Sequence, residues 1–86
     1  MAYIISERVH FSQVNDEVVI LDEASDSYLA LNEVGATIWT AIGEGLDDQQ
    51  IAVRIAERYD VEDERAETDV TEFLHTLLVR GLVASI

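Results

Sequence analysis

The sequence predicts an α+β domain: a three-stranded antiparallel sheet followed by three helices, in winged helix-turn-helix order. Three observations predict it. Short β-branched and aromatic runs with a period of two occupy the first third of the chain. Amphipathic segments with a period near 3.6 occupy the rest. No proline, linker or internal repeat separates them. Runs of strands followed by runs of helices indicate a segregated sheet. Helices joined by short connections suggest a helix-turn-helix core with the sheet as its wing. Residues 1–86 are read as one small domain.

The first strand is expected over residues 8–13, with Val9 and Phe11 on one face and His10 on the other. Asn15 and Asp16 supply turn chemistry. The second strand, 17–21, carries the unbroken run Val18, Val19, Ile20, Leu21, which suggests cover on both faces. After a polar connection comes the third strand, Ser27–Leu31, with Tyr28 and Ala30 on one face and Leu29 and Leu31 on the other.

Asn32 reads as a helix N-cap, so the first helix follows the third strand almost without a linker. That helix runs to about Ile42, with Val34, Ile38, Ala41 and Ile42 on one face and Trp39 on the flank; Gly43 and Gly45 end it. Asp47 and Gln50 form a capping box, with Leu46 and Ile51 as its hydrophobic staple. The second helix then turns Ile51, Ala52, Ile55, Ala56 and Tyr59 inward. Asp60, Glu62 and Asp63 all qualify to cap the third helix, which spans about 64–80 and buries Ala66, Val70, Phe73, Leu74 and Leu77. Gly81 stops it, and Leu82 and Val83 tuck back.

Composition excludes most chemistry. There is no cysteine and no lysine, which removes disulfides, thiolate metal sites, thiol nucleophiles and Schiff-base amines. His10 and His75 lie far apart on different elements, so no metal site is expected. The 22–33 segment fails as a calcium loop: Ala24 holds the third ligand position and Ser27 replaces the turn glycine. No serine lies in a nucleophile elbow, and Gly43 and Gly45 do not make a phosphate loop. Neither enzymatic activity nor a cofactor is expected. Five arginines against eighteen acids leave a net charge of −13, which repels phosphate backbones and anionic lipids. The third helix would be the recognition helix of a DNA-binding wing, yet it exposes Glu64, Asp69 and Glu72. Neither nucleic acid nor membrane is expected as a partner. With no apolar h-region near the N-terminus and no membrane-length apolar run, the chain reads as cytoplasmic.

What remains is backbone. A third strand at the sheet edge would leave amides and carbonyls free to pair with an extended peptide.

The stretch YLALNEVGATIW, residues 28–39, resembles the signature Y-x-x-L-N-x-x-G-x-x-I/L-W of PqqD-like domains. Tyr28, Leu31, Asn32, Gly35, Ile38 and Trp39 carry it, and the likeness extends over residues 9–83. The resemblance implies a RiPP recognition element, a winged helix-turn-helix that binds the leader of a ribosomally made precursor peptide. The leader would add as a further antiparallel strand beside the third strand, in a groove shared with the third helix. Such leaders carry a Tyr-x-x-Pro motif and a following leucine. Within the family, the chain resembles the stand-alone leader-binding proteins of lasso peptide biosynthesis. Their partners are a transglutaminase-like leader peptidase and, downstream, an ATP-dependent cyclase. PqqD itself, which presents a precursor to a radical enzyme, is the alternative.

Carried onto this chain, the site comprises Ser27, Tyr28, Leu29, Ala30 and Leu31 on the strand, and Asp69, Phe73, Thr76 and Leu77 on one shoulder of the third helix. Leu74 and Leu78 mark the opposite shoulder. Phe73 and Leu77 would wall a pocket, and Asp69 would accept a hydrogen bond from a tyrosine hydroxyl or an amide. Only one face of the strand can look at the groove, and the sequence leaves open which.

Overall fold

The computed structural model describes residues 2–86. Met1, the first residue of the expected domain, lies outside the described residues. The element order is β1 (Tyr3–Ile5), β2 (Val9–Val14), β3 (Glu17–Asp22), β4 (Ser27–Leu31), α1 (Glu33–Gly43), α2 (Asp48–Tyr59), α3 (Asp63–Val79) and β5 (Val83–Ser85). The expected sheet is β2-β3-β4, an antiparallel meander. The strand read as third is therefore β4. A second, two-stranded sheet pairs β1 with β5, joining the two ends of the chain.

The meander follows from its turns. Asn15 and Asp26 adopt left-handed φ angles of 58° and 53°, which short polar residues tolerate. Val18 and Ile20 of β3 are buried beneath the helices, while Val19 and Leu21 stay half-exposed on the outer face. Cover of β3 is thus complete on one face only.

α1 starts one residue after β4 because Asn32 caps it: its side chain accepts from the Gly35 amide at 3.0 Å. The expected flank position of Trp39 needs correction. It is 1% exposed and among the most buried side chains, because α1 lies between β1, the large sheet and α2. Its ring meets Phe11 edge-to-face at 5.4 Å. Val34, expected in the core, is instead exposed on the first turn of α1. Gly45, at φ +88°, makes the turn after α1, whereas Gly43 is its last helical residue.

The α2 capping box forms in both directions. Asp47 accepts from the Gln50 amide at 2.8 Å, and the Gln50 side chain accepts from the Asp47 amide at 3.0 Å. Asp60 ends α2 in a left-handed conformation, and Glu62 stands at the α3 N-cap position without a side-chain bond. α3 stops at Gly81, φ +71°, and Leu82 and Val83 return into the core.

Candidate functional site

Among the described residues, β4 has β3 on one side and no strand on the other. The direction of its backbone groups follows from the ladder. Val9 opposes Asp22, so Arg8 opposes Glu23, and the Glu23 amide donates to the Arg8 carbonyl at 3.2 Å. Successive residues of an antiparallel strand point their backbone groups to opposite sides. Odd-numbered residues of β3 therefore face β2, and Val18, Ile20 and Asp22 face β4. Their register partners are Leu31, Leu29 and Ser27. Tyr28 and Ala30 consequently turn their N–H and C=O groups to the open edge.

Side chains divide the other way. Tyr28 is 70% exposed on the outer face of the sheet, with Ala30 beside it. Leu29 is half-buried on the inner face, and Leu31 is core at 4%. Leu29 and Leu31 therefore look toward the helices.

The facing wall is α3. Phe73 is half-buried and packs against the core margin. Gly35 lies between it and β4: a Cβ built on Gly35 would sit 3.3 Å from Leu31 Cβ and 3.4 Å from Phe73 Cζ. This places the shoulder bearing Phe73 on the β4 side. The opposite shoulder, with Thr71, Leu74 and Leu78, borders a hollow beside Tyr3. Asp69 is exposed one turn before Phe73, with Arg65 at 3.8 Å. Thr76 is exposed, and its hydroxyl donates to the Glu72 carbonyl at 3.1 Å. Leu77 has no exposed surface, so it supports this wall from within and does not line it. β4 packs on β3 and α1, and α3 packs on α2 and β5. β4 and α3 meet through α1, where Gly35 lies between Leu31 and Phe73.

An edge with outward backbone groups beside an apolar margin can hold an extended chain. It offers no chemistry. Among the described residues, no three His, Asp or Glu side chains converge as metal ligands, and no helix is long and apolar enough to cross a membrane.

Comparison with known proteins shows the family and the fold. Residues 17–83 match the family model described as coenzyme PQQ synthesis protein D (PqqD). The chain belongs to the PqqD family. It is a PqqD-like RiPP recognition element, as residues 28–39 imply. Two solved structures are similar throughout. "TbiB1 in Complex with the TbiA(beta) Leader Peptide" is 31% identical with a TM-score of 0.90, covering 100% of this chain and 98% of that one. "Lasso peptide synthetase B1 complexed with the leader peptide" is 24% identical with a TM-score of 0.89, covering 99% and 100%. No curated protein matches in sequence.

Within this PqqD-like chain, the sequence signature marks positions without giving their reasons. Gly35 is there for the close approach of Leu31 and Phe73. Periodicity alone does not show this, since Phe73 lies on α3, far along the chain.

Proposed function

We propose that the chain binds the leader segment of a ribosomal precursor peptide and is not itself an enzyme. The leader adds as an antiparallel strand to β4, pairing with the free backbone groups of Tyr28 and Ala30. That open edge, lying beside the Leu29–Phe73 wall, is the observation that carries the reading. Leader residues opposite Leu29 and Leu31 point into the groove, and those opposite Tyr28 and Ala30 point outward, because residues directly opposite share a face. Main-chain bonds set register and direction, and the groove selects alternate side chains. Asp69 and Thr76 offer polar contacts at the α3 rim. The domain, residues 1–86, works in the cytoplasm without a cofactor.

The likeness to TbiB1 in complex with a leader peptide supports lasso peptide biosynthesis as the setting. There the bound leader is handed to a transglutaminase-like leader peptidase, with the ATP-dependent cyclase acting downstream. The PqqD family match supports a second reading, presentation to a radical enzyme. Co-purification separates the two: a cysteine peptidase in the complex supports the first, an iron–sulfur enzyme the second. A DNA-binding role is disfavoured by the exposed acids of α3.

The direct test is calorimetric titration with the synthetic leader of the precursor encoded beside the gene. A one-to-one complex is expected. A flat titration sinks the proposal.

A further inference from the structure

The proposed groove between β4 and α3 is bounded differently at its two ends. At the Leu31 end, α1 fills the gap, with Gly35 set between Leu31 and Phe73. At the Ser27 end, one side chain joins β3 to the end of α3. Arg8 donates from Nε to Asp22 Oδ1 at 3.0 Å. Its terminal nitrogen Nη2 donates to the Gly81 carbonyl at 3.0 Å and reaches the Arg80 carbonyl at 3.5 Å. Asp22 ends β3 in register with Ser27, the first residue of β4. Arg80 and Gly81 follow directly on α3. The guanidinium therefore ties the end of β3, the register partner of Ser27, to the end of α3.

Both anchor points are built for this. Asp22 is buried and also accepts from the Ala24 amide at 3.1 Å and the Ser25 hydroxyl at 3.0 Å. Ser25 and Ser27 hydroxyls lie 2.6 Å apart, which carries the network onto β4 itself. Gly81 adopts φ +71°, and a Cβ there would stand 2.5 Å from Arg8 Nη2. A planar fork with donors on two edges can hold a carboxylate and a carbonyl at once, whereas an ammonium is a point charge.

We propose that Arg8 is a positioning residue for peptide binding: by joining Asp22 to the Arg80 and Gly81 carbonyls it fixes the groove's width at the Ser27 end. It thereby limits the size of the leader side chain accepted opposite Ser27. This rests on strand addition to β4. An ordinary exposed ion pair would contribute only a little stability and no selectivity.

The test compares leader variants on wild-type protein and on Arg8→Gln. The probe is the synthetic leader encoded beside the gene, with each groove-facing residue replaced in turn by alanine and by tryptophan. Wild-type protein should prefer alanine over tryptophan opposite Ser27 by about tenfold, as expected where overpacking a fixed space is penalised. Arg8→Gln should reduce that preference to about threefold or less. Selectivity opposite Leu31 should stay unchanged. Equal weakening for every leader, or no change, overturns the proposal. Should Arg8→Gln fail to fold, Arg8→Lys replaces it: it keeps the Asp22 pairing but cannot span to both carbonyls. Full wild-type selectivity in Arg8→Lys also overturns the proposal. Failure of the underlying reading looks different, since wild-type protein would then bind no leader at all.

Discussion

The β2-β3-β4 sheet has two edges, and they are not equivalent. By the same ladder parity, β2 turns the backbone groups of Val9, Phe11 and Gln13 outward, as β4 does those of Tyr28 and Ala30. Neither edge carries a lysine or proline, the usual guards against pairing. The difference lies in what stands beneath. At β2 the Val9 amide is already bonded to Ser6, and Phe11, though 52% exposed, lies against buried Trp39. The space an incoming side chain would need is filled. At β4 the inner side chains of Ser27 and Leu29 are only half-buried. An unpaired edge is therefore only half of a docking site; the wall beside it supplies the rest.

The largest effect expected from breaking this contrast is on stability. Trp39→Ala removes the side chain that fills the β2 side, and should cost about 3–5 kcal/mol in chemical denaturation. Trp39→Phe should cost less. The indole Nε1 is buried with no hydrogen-bond partner among the described residues, so its loss removes an unsatisfied donor along with the volume. A Trp39→Ala loss below about 1 kcal/mol would mean that the β2 side is not packed as described.

A paired substitution sharpens the comparison at the backbone. Ala30→Pro deletes an outward amide on β4 and should weaken leader binding by about 100-fold or more. Gln13→Pro deletes an outward amide on β2 and should leave affinity within about twofold. Equal losses from the two would show that the edges are not distinguished by the peptide. Calorimetry reads both, with circular dichroism confirming that each variant folds.

How much of this was legible beforehand depended on range. The Asn32 cap, the Asp47–Gln50 box and the Gly81 stop are local, so side-chain spacing announces them. The β1–β5 pair is not local: each strand has three residues, they lie at opposite ends of the chain, and no turn signal links them. Trp39 reads as core rather than site, but its complete enclosure is not legible, for a related reason. A helical wheel sees one buried face, whereas α1 is enclosed by several elements. Residues 28–39 are enough to place β4 and the cap that follows it. They are not enough to separate side-chain from backbone roles on β4, which needs the ladder parity, or to place Leu77 beneath the wall. Arg8, Asp22 and Gly81 passed unremarked as a set, since only the fold brings them together.

The smallest expected effect concerns the turn that starts β4. Burial works to raise the Asp22 carboxyl, but hydrogen bonds from Ser25, Arg8 and the Ala24 amide, together with the Arg8 charge, outweigh it. Its pKa therefore lies below the ordinary value of 3.8. A carboxyl depressed in the folded state contributes stability that is fully present above its unfolded pKa. That contribution is lost as pH falls through the folded value. Asp22 should thus steepen the fall of stability with acid below about pH 4 and leave the neutral range flat. In Asp22→Asn the acid limb should be shallower, at the expense of lower stability at pH 7 where the Arg8 pair is lost. Asp22 also holds the Ala24 amide and the Ser25 hydroxyl, so the acid effect should appear first in amide exchange at the Asp22–Ser27 turn. Exchange that rises equally along β2 and β4 would place the acid-sensitive contact elsewhere.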